Sequence, residues 1–237
     1  MDYSSPVLLG VRNLARRVGV LPFLQHLWRS LRGEGYEENF EKALLSGIHK
    51  GDVVWDIGAN VGLYSRKFSD LTGPSGKVVA FEPSRQTFVS LSSNVASYQN
   101  VVCFQIAVSD SVGKAEFFVT EEENSPVNGL AQRSDIPVGE VYSVDVSTGD
   151  EFNAQHPELS PNVMKIDVEG FEWEVLGGMK SLLHAPSLRA IYIEVHFTSL
   201  RERNLGDAPR QMVSMLKNAG FTVRWTDASH IEAVRRT

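Results

Sequence analysis

Acidic and small residues recur in this chain where a fold of alternating strands and helices would expose them. They are Asp56, Gly58, Asn60 and Gly62, then Glu82-Pro83, Ser109-Asp110, Asp167 with Glu169, and Glu194 with His196. The run Val53-Val54-Trp55-Asp56-Ile57-Gly58-Ala59-Asn60-Val61-Gly62-Leu63-Tyr64-Ser65 reads as a buried strand breaking into a glycine turn and then a helix, as in folds that hold nucleotide-like ligands. Twenty residues past Gly62, Lys77-Val78-Val79-Ala80-Phe81 ends in Glu82-Pro83. That places a carboxylate at the tip of the neighbouring strand, where it can accept hydrogen bonds from two ribose hydroxyls. Turn and carboxylate together point to an adenosine-type cofactor. Carboxylates at strand ends cost desolvation unless they bind something, so this clustering implies a ligand.

The glycine spacing narrows the choice. Gly58 and Gly62 are four apart with Asn60 between them, so the G-x-G-x-x-G pattern of dinucleotide binders is not met and no diphosphate cradle is implied. The chain has no G-x-x-x-x-G-K-[ST] either, which removes the P-loop reading. Asp56 ahead of the turn suits a ligand that brings positive charge, and S-adenosylmethionine brings an ammonium and a sulfonium.

Several stretches in the same order make the chain similar to the FkbM family of S-adenosylmethionine-dependent methyltransferases. They are Val54-Trp55-Asp56-Ile57-Gly58-Ala59-Asn60-Val61-Gly62, Val79-Ala80-Phe81-Glu82-Pro83, Ala107-Val108-Ser109-Asp110, Val163-Met164-Lys165-Ile166-Asp167-Val168-Glu169-Gly170 and Ile191-Tyr192-Ile193-Glu194-Val195-His196. The resemblance covers about residues 36 to 235, and Lys-Ile-Asp-Val-Glu-Gly followed by Phe171-Glu172 is its most specific part. It implies S-adenosylmethionine as cofactor and a hydroxyl oxygen as methyl acceptor. The cofactor-binding candidates are Asp56, Gly58, Asn60, Gly62, Glu82, Pro83, Ser109, Asp110 and Asp167, although Asp110 could equally serve only to shape a turn. Where the family pattern has Thr-Leu-Asp, this chain reads Thr148-Gly149-Asp150, and looser packing is expected there.

Methyl transfer from a sulfonium is an in-line displacement, so few catalytic groups are needed: the acceptor must be brought to near-attack distance and a hydroxyl must lose its proton. Asp167 and Glu169 leave the fourth strand beside the expected methyl position, with Lys165 placed on the opposite strand face. One of the two could orient the acceptor or receive its proton. Alternatively, they could hold Mg²⁺ or Mn²⁺ with Glu194 and His196; spacing does not settle this, and no metal site is assigned. His196 is the only histidine at an expected strand terminus, which makes it the leading general-base candidate, with a purely structural role a near-equal rival. His230 lies at the terminal turn, and none of the histidines forms H-x-x-x-H. No G-x-S-x-G elbow is present.

The elements that must position these residues follow from hydrophobic periodicity. Strands are expected at 53–57, 77–82, 101–108, 114–120, 141–146, 163–167, 190–196, 221–226 and 231–235. Helices are expected at 62–72, 84–98, 172–183 and 208–219, with another begun by Asp150 as N-cap and with Gly220 as C′ residue of the last. The 114–120 and 141–146 segments read as an added hairpin or edge. The expected fold is α/β, a Rossmann-like seven-stranded class I methyltransferase sheet, mostly parallel with an antiparallel C-terminal strand, plus N-terminal helices. Two irregular stretches leave the catalytic edge and would choose the acceptor. Glu121 to Gly139 carries Asn124, Ser125, Asn128 and Gln132 for sugar hydroxyls, and Phe197 to Pro209 carries Arg201 and Arg203 for a phosphate or carboxylate.

The length suits one catalytic domain at 36–237, preceded by an amphipathic segment at 1–35. The net charge of −6 gives no electrostatic footprint for nucleic acid. Cys103, the single cysteine, sits in an apolar run as a reduced core residue, and the chain shows neither a secretory h-region nor a membrane span, so a cytoplasmic protein is expected. Arg12, Arg16, Arg17, Arg29 and Arg32 alternate with apolar residues as in two short amphipathic helices. Such helices cap the sheet or a homodimer partner, or dock to an anionic membrane surface; the first account is the simpler. The chain therefore reads as an S-adenosylmethionine-dependent O-methyltransferase acting on a small molecule, a carbohydrate or natural product. N- or carboxyl-methylation and a non-catalytic S-adenosylmethionine-binding domain are the rivals.

Overall fold

Near-continuous apolar runs, rather than alternating ones, form the centre of the molecule, because a parallel sheet covered on both faces buries both sides of its strands. The structure, a computed structural model, describes residues 35–120, 129–130 and 139–235. The amphipathic segment before residue 35, with its five arginines, and most of the polar stretch 121–138 lie outside the described residues.

Strands β1 (Val53–Ile57), β2 (Lys77–Phe81), β3 (Val101–Phe104), β8 (Val163–Ile166), β9 (Ala190–Glu194), β10 (Thr222–Trp225) and β11 (His230–Val234) form a seven-stranded sheet ordered β3-β2-β1-β8-β9-β11-β10. β3, β2, β1, β8 and β9 pair in parallel, whereas β11 runs antiparallel to both β9 and β10, as expected for the C-terminal strands. The chain leaves β1 toward β2 and β3 and later returns to β1's other side through β8. The switch point where open α/β sheets bind ligands therefore lies between β1 and β8.

The connecting helices are α1 (Gly35–Ser46), α2 (Leu63–Thr72), α3 (Arg85–Val95), α4 (Gly149–Gln155), α5 (Glu172–Gly177), α6 (Phe197–Glu202) and α7 (Ala208–Asn218). In α7, Ala208, Pro209, Met212, Val213 and Leu216 make the buried stripe, proline stands in the first turn and Gly220, at φ 91°, follows the cap, which is the reading the sequence invites. Under the sheet, Trp55 meets Phe81 and Phe152 edge-on at 5.2 and 5.3 Å, and its indole N–H donates to the Leu159 carbonyl at 2.8 Å. Emptying so large a buried site would cost about 3–5 kcal/mol.

Five expectations change. The strand expected at 101–108 breaks at Gln105 into β3 and β4 (Ile106–Ser109). β4 joins β5 (Gly113–Thr120), β6 (Gly129–Leu130) and β7 (Gly139–Thr148) in a separate four-stranded sheet ordered β4-β7-β5-β6, and the expected hairpin is its antiparallel β5/β7 pair. Periodicity cannot say that one apolar run serves two sheets. The helix at 149–155 is capped by Thr148, whose hydroxyl accepts from Glu151 N–H; Asp150 instead accepts from the Ser181 and Leu182 N–H groups. Gly149 does not loosen the packing, because a Cβ there would stand 2.6 Å from Met179 Cγ, so the glycine admits Met179. The segment after β9, expected to be irregular, forms α6. The helix expected at 172–183 ends at Gly177, followed by a separate turn at Leu182–His184.

Candidate active site

The β1–α2 turn is built from backbone. Gly58 and Ala59 N–H both donate to the Phe81 carbonyl at 3.0 Å, and Gly58, Asn60 and Gly62 take φ of 78°, 51° and 85°, left-handed values that glycine and asparagine tolerate. A Cβ on Gly58 would lie 1.8 Å from the Asp167 carbonyl oxygen, and one on Gly62 would lie 2.8 Å from Leu91. Gly58 thus lets the turn pass the β8 exit, and Gly62 seats α2 against α3.

Glu82, at the end of β2, is 7% exposed. Its Oε2 accepts from Asn60 N–H at 3.0 Å and its Oε1 from Ser84 N–H at 2.9 Å. Burial pushes the carboxyl up to about 7, with the two N–H bonds pulling the other way. Each oxygen keeps a further lone pair for a ligand hydroxyl.

Beside it lies a cavity of about 280 Å³. Gly58, Asn60, Glu82 and Pro83 line one part, Ile57, Phe81, Ile106, Val108 and Phe117 supply apolar wall, and Asp167 and Glu169 close it at the β8 end. Most of the cofactor-binding candidates from the sequence are therefore brought together, with four exceptions. Ser109 and Asp110 stand at the end of β4 against Gly178, not among the lining residues, which Ile106 to Val108 provide. Asp56 is fully buried, accepts from Ser65 Oγ at 2.6 Å and faces Lys165 Nζ at 3.6 Å. The positive charge it meets belongs to the protein. Gly62 is a packing glycine outside the lining.

Lys165 also corrects an expectation. It does not point away from Asp167, because residues two apart share a strand face: its Nζ reaches Asp167 Oδ2 at 3.1 Å. Burial works against its charge, but Asp167 and Asp56 hold the ammonium above its ordinary range, and Lys165 with His196 in turn holds the Asp167 carboxyl below its own despite burial.

The turn after β8 passes through Glu169 (φ 52°) and Gly170 (φ 103°). It returns Glu169 Oε2 to 3.1 Å from His196 Nε2, with Asp167 Oδ1 at 3.8 Å from the same nitrogen. His196 Nδ1 bonds Glu172 Oε1 at 2.7 Å, and Glu172, fully buried at the start of α5, also accepts from Gly170 N–H at 2.8 Å. Burial lowers the His196 pKa, but Glu172, Glu169 and Asp167 carry it up to about 9. His196 lies behind Glu169 and is not a lining residue.

Three features escaped the sequence. Glu172 has a role visible only once His196 is beside it. His230 forms a parallel arrangement, its Nδ1 on Asp227 Oδ1 at 2.7 Å and its Nε2 3.4 Å from Glu194 Oε2. The three-residue interval between Asp227 and His230 was the available signal, but the partnership with Glu194 depends on the β9/β11 register. Arg203, expected to meet an anionic acceptor, is committed to Glu174 and the Gly170 carbonyl and lies over the Phe171 ring.

The family profile described as "Methyltransferase FkbM domain" matches residues 56–223. The chain is 29% identical over 231 residues to the hexuronic acid methyltransferase AglP of Haloferax volcanii, an alignment covering 96% of this chain and 87% of the relative. It is 28% identical to 31-O-demethyl-FK506 methyltransferase FkbM of Streptomyces tacrolimicus, over 74% of this chain and 75% of that one. Among solved structures, methyltransferase FkbM from Methylobacillus flagellatus superposes with a TM-score of 0.50 at 15% identity, over 79% of this chain and 44% of that chain. This chain thus spans less than half of that solved protein, and the likeness is one of fold.

Proposed function

Since the chain belongs to the FkbM methyltransferase family, we propose that it transfers the methyl group of S-adenosylmethionine to a hydroxyl oxygen of a carbohydrate or natural-product small molecule. The observation that carries this reading is a single cavity with a hydroxyl-accepting carboxylate, Glu82, at one end and the Asp167–Glu169 pair at the other. The residues fit the cofactor. Glu82 retains acceptor capacity for ribose hydroxyls, and the apolar wall of Ile106, Val108 and Phe117 suits a flat purine. When bound, S-adenosylmethionine supplies an electrophilic methyl carbon whose sulfonium leaves as a neutral thioether.

The chain's own task is then to hold the acceptor oxygen in line and take its proton. Glu169 is the proton acceptor in this reading: it lines the cavity, its side chain is 42% exposed, and burial raises its carboxyl toward useful basicity while His196 opposes that rise. In this reading His196, held between Glu172 and Glu169, is a positioning residue, the structural role that stood beside the general-base role in the sequence. The relative named for a hexuronic acid supports a sugar as acceptor, and those named for 31-O-demethyl-FK506 and for 2-O-methyl transfer support an oxygen. Among the described residues no helix is long and apolar enough to cross a membrane, and a cytoplasmic enzyme acting on a small-molecule acceptor accords with that.

Calorimetric titration with S-adenosylmethionine and with NAD tests the cofactor, and transfer of labelled methyl to a panel of neutral hexosides, hexuronosides and macrolide alcohols tests the acceptor. Saturable binding of S-adenosylmethionine alone, with label in an ether linkage, is expected. NAD binding, or label in an amine or ester, would overturn the respective part.

A further inference from the structure

We infer that Asp167, Glu169 and His196 form a site for one divalent metal ion, for which Mn²⁺ is the best match. One carboxylate oxygen from each acid and one ring nitrogen lie within 4.8 Å of one another, contributed by two loops, one after β8 and one after β9. His196 Nε2 stands 3.1 Å from Glu169 Oε2 and 3.8 Å from Asp167 Oδ1. Ligands about 2.1 Å from a six-coordinate ion are roughly 3 Å apart when adjacent, a spacing that Nε2 already has to Glu169 and exceeds by less than about 1 Å to Asp167. Two carboxylates with one imidazole suit a cation softer than Mg²⁺ but still fond of oxygen, which favours Mn²⁺.

Each ligand is oriented from outside the trio. Glu172, fully buried, accepts from His196 Nδ1 at 2.7 Å and so directs Nε2 at the carboxylates, the carboxylate–histidine–metal order found behind metal-binding histidines. Lys165 occupies Asp167 Oδ2 at 3.1 Å and leaves Oδ1 toward Nε2. The left-handed backbone at Glu169 turns its carboxylate to the same point. Asp56, Asp167, Glu169 and Glu172 also crowd negative charge around Lys165 and His196, an excess that a divalent ion reduces. Glu194, a ligand option from sequence, is engaged with His230 instead.

Asp167 and Glu169 both line the cavity, so the ion's remaining positions open to it. On the reading of that cavity as a methyltransferase site, those positions take the acceptor oxygen, and coordination eases loss of its proton to the second oxygen of Glu169.

The test is titration of the chelator-stripped full chain with Mn²⁺, followed by calorimetry and by the paramagnetic resonance of free Mn²⁺. S-adenosylmethionine affinity and thermal unfolding are measured on the same samples. One ion per chain is expected, with Glu169→Gln and His196→Gln each weakening uptake at least tenfold and Glu172→Gln about tenfold or more, while the cofactor affinity stays within about threefold. Methyl transfer should stop with chelator and return with Mn²⁺. No saturable uptake by the native chain, or uptake by folded Glu169→Gln equal to native, overturns the site. Glu169→Gln is isosteric at a half-exposed position, so a folded variant is available for the comparison. Uptake without S-adenosylmethionine binding would keep the metal site and remove the methyltransferase reading, and cofactor binding without uptake would do the reverse.

Discussion

The two ends of the cavity hold their carboxylates by different means. At the β2 end, Glu82 is fixed by N–H groups of Asn60 and Ser84, backbone donors set by the turn itself. At the β8 end, Asp167 and Glu169 are fixed by side chains, Lys165 and His196, which are held in turn by Asp56 and Glu172. A backbone cradle survives most changes of side chain as long as the turn forms. A side-chain relay depends on every member, because removing one leaves another charged and buried without its partner. On the proposed function, the first end governs affinity for the cofactor, and the second governs chemistry and part of the fold's stability.

That division is most exposed at Glu169. Glu169→Ala should lower turnover by roughly 10²–10⁴ while leaving S-adenosylmethionine affinity within about tenfold. Single-turnover methyl transfer beside calorimetry separates the two effects, and an equal loss in both would merge the ends into one.

Lys165→Met leaves Asp56 and Asp167 without their shared cation in a site where Lys165 is 4% and Asp56 0% exposed. About 3–5 kcal/mol of stability should be lost. Denaturant unfolding with an unchanged midpoint would show that the relay is not a stability element.

At the other end, Glu82→Ala should weaken S-adenosylmethionine binding by about 2–4 kcal/mol and Glu82→Gln by less, because two hydroxyls lose a charged acceptor. Unfolding by heat should be little affected. Unchanged affinity in a folded Glu82→Ala protein would falsify the ribose assignment.

The smallest expected effect is a pH dependence at the same residue. The Glu82 carboxyl is raised from 4.5 to about 7 in the folded chain. The protonated form is therefore favoured by folding: this contribution to stability is full below the unfolded value and is lost as pH rises from about 4.5 through about 7. Ligand hydroxyls donate to the ionised form, so S-adenosylmethionine affinity should run the opposite way, about tenfold weaker at pH 6 than at pH 8. Calorimetry at the two values checks this, with Glu82→Gln as the variant in which the slope should vanish.

The contrast between the ends also explains what was legible beforehand. Asp56-x-Gly58-x-Asn60-x-Gly62 and Phe81-Glu82 announce a turn and a carboxylate because backbone geometry is local: left-handed φ values favour glycine or asparagine, and the residue that follows a strand stands at the edge of the sheet wherever the strand ends. The seven-strand sheet was readable for the same reason, since buried parallel strands write continuous apolar runs. Even there, the run 101–108 did not disclose that Gln105 divides it between two sheets.

By itself, then, the sequence determined most of the elements, the turn at Gly58 and the acidic residues Glu82, Asp167 and Glu169 at strand ends, all consequences of periodicity and local conformation. Only the tertiary structure decided who partners whom. Lys165 joins Asp56 to Asp167, Glu172 stands behind His196, Arg203 is spent on Glu174, and Ser109 and Asp110 miss the cavity. Those pairings join side chains on different strands and loops, and the order of strands and the register between them set the distances. Interactions that fall off over a few ångströms cannot be read from spacing along the chain.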